Sequence, residues 1–323
     1  MKSNYVAGLR AGEELINEPF LLDDVVRRKT RDGRPFLLCT LRDRTGLLNG
    51  VFWDVPDYID AWIRPGLAVL VSGQTNNYKN ALQVNITDLN LAGAVESTEL
   101  LPSSQRSREE MIAELRTHVE QLDEPWQSLI TSIILNTDFL ARFAQAPAAR
   151  TMHHAYIGGL LEHTLSMVTL SGMLSDHYPY VNKNLLLSGT LLHDIGKTME
   201  YLVDGSFGFS EDGRLVGHIV RAVVLIEKAA AELEFPQDDL HQLIHLIVSH
   251  HGLLEWGSPV KPKTLEAILL HQVDLLDSRV QGFFDHLNND TGSETWTVKS
   301  SIMHGTELRF PPTFDRGSQQ NQE

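Results

Sequence analysis

The stretch Leu191-Leu192-His193-Asp194-Ile195-Gly196-Lys197 decides the reading of this chain. Its His-Asp pair stands in a crowd of imidazoles, for 11 of the 14 histidines fall between His153 and His271. His163 precedes the pair, and His218, the doublet His250-His251 and Asp274 follow it. Neutral imidazole together with carboxylate suits Mn, Fe, Co, Ni or Zn, and carboxylate with water suits Mg and Mn. If the pair lies on a helix, its two side chains diverge by about 100°, so one carboxylate can bridge two ions held by different histidines. Asp274 is an acid inside the apolar run Ile268-Leu269-Leu270-His271-Gln272-Val273-Asp274-Leu275-Leu276. An inward carboxylate needs a partner because an unpaired buried charge is costly, and a cation supplies one. Taken singly, each histidine reads as an ordinary helix residue; the ordered set does not.

At 323 residues the chain has room for two domains. Hydrophobic content of 42% and charged content of 21% describe an ordinary globular composition. No apolar run is long enough to span a bilayer and no secretory leader is apparent, so a cytoplasmic location without membrane association is expected. The single cysteine, Cys39, excludes an intrachain disulfide and a cysteine-based zinc cluster, and it reads as a core residue. The net charge of −15 argues against a protein that coats nucleic acid nonspecifically. Residues 1–91 carry 11 basic and 11 acidic residues, so the whole acidic excess lies with the histidine-rich part, where bound cations would offset it. The basic run 27–34 reads equally as a phosphate contact or as a solvated turn.

The first ninety residues read as β structure. Phe20–Val26, Phe36–Leu41 and Leu47–Trp53 are strand-like and separated by charged turns. A short helix over Tyr58–Ile63 follows, then strands over Ala68–Gly73 and Leu82–Leu91 with a polar turn around Asn76-Asn77. Five strands with a helix between the third and fourth is the order of an OB-fold, a five-stranded β-barrel that holds oligonucleotides. Such readers stack bases on aromatics beside a cationic groove, and Phe36, Trp53 and Tyr78 are the candidates here.

Residues 93–108 read as a Ser-rich linker. From 109 to about 290 the periodicity is helical throughout, giving a multidomain chain of an N-terminal β-barrel (1–92) and an all-α helical bundle (109–290). Residues 291–323 form an extension whose end, Gly317–Glu323, is expected to be disordered. Lys197 follows Asp194 by three residues, shares its helix face, and can meet a phosphate as a point charge. His153 and His154 are expected to touch substrate or orient a ligand, Arg279 to contact phosphate, and His271 to bond Asp274.

The order His163, His193-Asp194 with Gly196-Lys197, His218, His250-His251 and Asp274 resembles the HD-domain metal-dependent phosphohydrolases, and its extra histidines resemble their two-metal branch. An OB-fold ahead of such a domain, with His153-His154-Ala155-Tyr156-Ile157-Gly158-Gly159-Leu160-Leu161-Glu162-His163 and Ser249-His250-His251-Gly252, is similar to the YhaM-type 3′→5′ exoribonucleases. The resemblance covers about residues 10–290. It implies that His163, His193, Asp194 and Asp274 hold one divalent ion, with Mn first among the candidates. It further implies that Asp194 bridges to a second ion on His218 and one or both of His250 and His251, with Asp194 and Lys197 as the catalytic residues. Single-stranded RNA would be the substrate, with single-stranded DNA as a second choice, and self-assembly of the chain is compatible with this reading. Two other readings keep part of the evidence: a phosphohydrolase of small nucleotides, and a nucleic-acid-binding regulator with a vestigial centre.

Overall fold

A computed structural model describes residues 2–78, 81–93, 97–150, 153–204, 206–289, 295–297, 299 and 305–312. The chain divides into two units, Met1–Ser103 with Leu202–Gly208 and Ser104–Tyr201 with Phe209–Glu323. The expected disorder of Gly317–Glu323 lies outside the described residues.

The first unit is a closed five-stranded barrel. Its strands are β1 (Glu14–Lys29), β2 (Pro35–Asp43), β3 (Gly46–Trp53), β4 (Ala68–Tyr78) and β5 (Ala81–Leu91), arranged β1-β2-β3-β5-β4, with β3 and β5 parallel. The helix α1 (Asp57–Asp60) stands between β3 and β4, in the OB-fold order read from the sequence. β1 is far longer than the seven apolar residues suggested, because one half pairs with β4 and the other with β2. Shifts of register between Leu15 and Glu18 and between Leu22 and Asp24 bend it enough to close the barrel. Alternation puts Leu37, Cys39 and Leu41 inside with Phe20, Val71, Val84 and Ile86, and Ile59 and Ile63 pack against the same core. The polar turn expected at Asn76-Asn77 is not found there: both residues belong to β4 and are paired, to Gln83 and Leu82. Polar composition mimicked a turn there because that end of the hairpin is solvated. Within 93–108 a short helix, α2 (Ser97–Leu100), occurs, and Leu100 and Leu101 are buried.

The second unit is helical: α3 (Arg108–Glu120), α4 (Trp126–Ile134), α5 (Thr137–Phe143), α6 (Gly159–His177), α7 (Lys183–Leu192), α8 (Lys197–Glu200), α9 (Glu211–Leu215), α10 (His218–Glu232), α11 (Gln237–Ser249) and α12 (Leu265–Asn289). Ser107 caps α3 by accepting from the Glu110 amide. α7 is apolar all round and is buried from Leu185 to Leu192, packed among α4, α6, α11 and α12. Its end therefore delivers the next residues, His193 and Asp194, to the middle of the bundle.

Two features depart from the all-helical expectation. A two-stranded hairpin, β6 (Tyr201–Asp204) with β7 (Ser206–Phe209), interrupts the helices. The His193-Asp194 pair lies in the turn between α7 and α8, not within a helix. That turn ends on Gly196, which comes so close to α10 that a Cβ there would lie 2.0 Å from the His218 carbonyl oxygen.

Candidate metal centre

Two helix ends supply the centre by the same device. His193 follows α7 and His250 follows α11, and each donates from Nδ1 to the carbonyl three residues back, Thr190 at 2.8 Å and Ile247 at 2.7 Å. Those carbonyls belong to the last helical turn, which has no intrahelical donor to offer them. Each bond fixes the tautomer and turns Nε2 toward the interior. The partial negative charge of both helix ends also favours a cation at this place. His251 is fixed in the same way by the Trp256 carbonyl at 2.9 Å.

Asp194 is the hub. Its Oδ2 lies 3.2 Å from His193 Nε2 and 3.9 Å from His163 Nε2, while its Oδ1 lies 3.5 Å from His218 Nε2 and 3.7 Å from His250 Nε2. Asp274 Oδ1 stands 3.5 Å from His163 Nε2. Three groups of side chains converge closely enough to share an ion, and two of them flank Asp194: His163 with His193 and Asp274, and His218 with His250 and His251; the third, His154 with His163 and Asp277, lies behind His163. Every metal-ligand candidate read from the sequence is in one of these groups or, as Asp194, between them.

Two carboxylates that the sequence reading passed over stand behind the histidines. Asp277 accepts from His163 Nδ1 at 2.7 Å, and Glu200 Oε2 lies 3.0 Å from His218 Nδ1. Asp277 also meets His154 Nε2 at 3.1 Å and accepts from the Ser166 hydroxyl, and His154 Nδ1 reaches the Tyr156 hydroxyl at 2.6 Å. Asp277 follows Asp274 by three residues, so the helix repeat alone places both on one face.

Burial pushes His250 and His251 below the usual imidazole range, which keeps both neutral and able to donate a lone pair. Burial would lower His163 too, but the neighbouring Asp274 and Asp277 carboxylates outweigh it and raise that group to about 9. Burial opposes ionisation of Asp194, yet Lys197 and the surrounding imidazoles hold its carboxyl well below its ordinary value. His153 is driven down to about 3, first by burial and then by the His163 and Lys197 charges.

The donor set fits a divalent cation. Among the described residues, Nε2 of His163, His193, His218 and His250 and Oδ1 of Asp194 are buried with no hydrogen-bond partner. Buried polar atoms in a native fold are satisfied, and bound cations would satisfy these five.

The remaining candidates divide. Lys197 lies 2.6 Å from Asp194 Oδ2, mostly enclosed at the centre. His153 is beside it, with ring centroids 5.8 Å from His163, and His154 belongs to the Asp277 network. His271 does not bond Asp274; its Nδ1 donates to the His250 carbonyl at 2.8 Å, because Gly252 lets its ring pack against the backbone there. Arg279 is exposed on α12 and has no hydrogen bond or ion pair among the described residues. Phe36, Trp53 and Tyr78 belong to the barrel. Phe36 and Trp53 face each other across β2 and β3 with rings stacked at 4.7 Å, outside the barrel core, and Trp53 and Tyr78 are 50% and 56% exposed. In the basic run, Arg27 pairs with Asp60 and Arg34 with Asp32 and Asp54.

Residues 160–279 match the HD domain family, and residues 23–92 match the family described as OB-fold nucleic acid binding domain. The chain is 34% identical over 270 residues to the 3'-5' exoribonuclease YhaM of Geobacillus sp. (strain WCH70), covering 83% of each chain. It is 33% identical over 307 residues to the protein of the same name from Listeria monocytogenes serovar 1/2a, covering 94% of this chain and 96% of that one. The L. monocytogenes phosphodiesterase PgpH HD domain aligns in structure at a TM-score of 0.28 with 21% identity, over 49% of this chain and 74% of that one. No described helix is long and apolar enough to cross a membrane.

Proposed function

The chain belongs to the YhaM 3'-5' exoribonuclease family of metal-dependent hydrolases, and from that premise we propose that it removes nucleotides one at a time from the 3′ end of single-stranded RNA. The observation that carries the reading is the Asp194 carboxylate, whose two oxygens face two different histidine groups. His163, His193, Asp194 and Asp274 would hold one divalent ion, and Asp194, His218, His250 and His251 a second, with Mn²⁺ the first choice for both. Bound there, such ions supply Lewis acidity toward a phosphoryl oxygen and a water acidic enough to attack near neutral pH.

The chain's own side chains do the rest. The carbonyl and carboxylate partners of the five histidines each take up an Nδ1, which leaves the Nε2 atoms as the positions open to metal. Lys197 keeps Asp194 ionised and, with three donors on its ammonium, has capacity left for a phosphate oxygen. His153, uncharged and beside the donor set, would meet substrate without repelling a cation. The stacked Phe36–Trp53 pair and Tyr78 support binding of unpaired bases, since every base offers a π-face and stacking needs no particular sequence. Arg28 and Lys29 at the end of β1 and Arg31 in the turn after it, all exposed, would meet the backbone phosphates.

The test is a 5′-labelled single-stranded RNA incubated with the pure protein and Mn²⁺. The expected product is a ladder descending from the 3′ end with release of nucleoside monophosphates. Internal cuts, or no cleavage with any of Mn²⁺, Mg²⁺, Co²⁺, Ni²⁺ and Zn²⁺, reject the proposal.

A further inference from the structure

The structure assigns a positioning role to Asp277 and Glu200, one for each half of the metal centre. This inference rests on the two-ion reading above and extends it to residues outside the donor set. His193, His250 and His251 are each backed by a peptide carbonyl. His163 and His218 are backed instead by carboxylates, Asp277 at 2.7 Å and Glu200 at 3.0 Å. These two histidines fall in different groups, so each group contains one carboxylate-backed nitrogen donor. A carbonyl fixes the tautomer of a ligating imidazole, whereas a carboxylate also raises its basicity and so strengthens its bond to a cation.

The two supports differ in how firmly they are held. Asp277 is buried and gripped by His154 and Ser166 as well as His163, and His154 is itself bonded to Tyr156, whose hydroxyl donates to Glu162 at 2.9 Å. Glu200 ends α8 and is buried, but His218 is the one side-chain partner found for its carboxylate among the described residues. The two halves are thereby tuned separately: Asp277 sets the affinity of the His163 half and Glu200 that of the His218 half.

The test uses the full chain stripped of metal, with Mn²⁺ added in a calorimetric titration and the bound ion counted by elemental analysis. Asp277→Asn and Glu200→Gln keep the side-chain shape and remove the charge. Each variant is expected to weaken one of two ions by about 10- to 100-fold, and the double variant both, since loss of such a partner typically costs that much. A double variant in which one ion keeps its parental affinity means that both residues act on the same ion, and overturns the assignment. Affinities unchanged within twofold in both variants overturn it too, while leaving two ions in the parent protein. A parent protein that binds one ion overturns the two-ion reading itself. Should Asp277→Asn fail to fold by circular dichroism, Glu200→Gln tests its own half alone, since its network is small and its loss of one ion of two is a complete readout.

Discussion

The Lys197 ammonium lies 2.6 Å from the Asp194 carboxylate, on the oxygen that also faces His163 and His193. Asp194 is buried and Lys197 is 11% exposed, and the pair occupies the place where a cation is wanted. Lys197 thus balances Asp194 whenever metal is missing. The Asp194 carboxyl is held well below its ordinary value of 3.8 by Lys197 and the imidazoles acting against burial. A depressed acid contributes stability above its ordinary value and loses it as pH falls through the depressed one, so the pair is fully effective at neutral pH.

Lys197→Met should therefore strip a buried carboxylate of its partner, at a cost of about 3–5 kcal/mol, or roughly 10 °C in Tm. Saturating Mn²⁺ should recover part of that loss, because the ion replaces the missing positive charge. Thermal melts of parent and variant with and without the ion measure this. An equal loss under both conditions would show that Lys197 does not stand in for metal.

Gly196→Ala should damage the centre without touching a ligand. A Cβ at 196 would lie 2.0 Å from the His218 carbonyl oxygen and 2.7 Å from its carbon, so α10 must shift at its first turn. Overpacking of this kind costs about 1–3 kcal/mol, and His218 moves with the helix that carries it. The expected result is a lower Tm together with weaker binding of one ion. Normal ion content in a protein of normal stability would contradict it.

This glycine also explains why the centre was legible in sequence while its surroundings were not. Gly196 and Lys197 follow His193-Asp194 because one close approach and one ion pair both demand it, and that leaves a local pattern. The distant ligands His163, His218, His250 and Asp274 stand out because imidazole and carboxylate are uncommon in apolar helical runs. Asp277 left no such mark, since an acid three residues past another acid looks like one more polar helix position. The β6–β7 hairpin had a signal, Asp204-Gly205 between Tyr201-Leu202-Val203 and Phe207-Gly208-Phe209, which the surrounding helical periodicity masked. The pair's place in a turn was illegible because four residues contain too little periodicity to tell a turn from a helix.

Trp53→Ala should weaken single-stranded RNA binding by roughly 5- to 100-fold, the range for losing one stacking platform. Trp53 is half exposed and already stacked on Phe36, so its removal opens no cavity in the barrel core. Fluorescence anisotropy with a labelled RNA gives the affinity, and turnover of a small phosphodiester gives the chemistry. A variant that loses small-substrate turnover as much as RNA affinity would contradict a division of labour between barrel and metal centre.

Cys39 should resist alkylation in the folded protein. It is buried in the barrel between Leu37 and Leu41, and burial, reinforced by Asp24, pushes its thiol up to about 12 from 9.0. The thiolate is the reactive form, so iodoacetamide at pH 9 should modify native protein at least about 100-fold more slowly than urea-unfolded protein. The sign for stability follows from the same shift. A raised thiol contributes fully below 9.0 and its contribution falls as pH rises toward about 12, so Cys39→Ala should flatten the alkaline fall in Tm. Rapid labelling of native protein at pH 9 would mean that the barrel opens readily around β2.

His250→Ala and His251→Ala should not be equivalent, although the sequence presents the two as a doublet. His250 Nε2 is buried, 3.7 Å from Asp194 Oδ1, and has no hydrogen-bond partner among the described residues. It faces the carboxylate that both ions would share. His251 is half-buried, farther along the turn, and its place in the group comes from its closeness to His218 and His250. Removing His250 deletes a donor and leaves Asp194 Oδ1 less enclosed; removing His251 takes away one nitrogen at the edge. His250→Ala is therefore expected to reduce the bound metal from two ions to one, and His251→Ala to weaken that ion while still allowing it at high concentration. Elemental analysis after dialysis against graded Mn²⁺ separates the two outcomes. A larger loss from His251→Ala would move the second ion outward, away from Asp194, and with it the argument that a single carboxylate links the two halves.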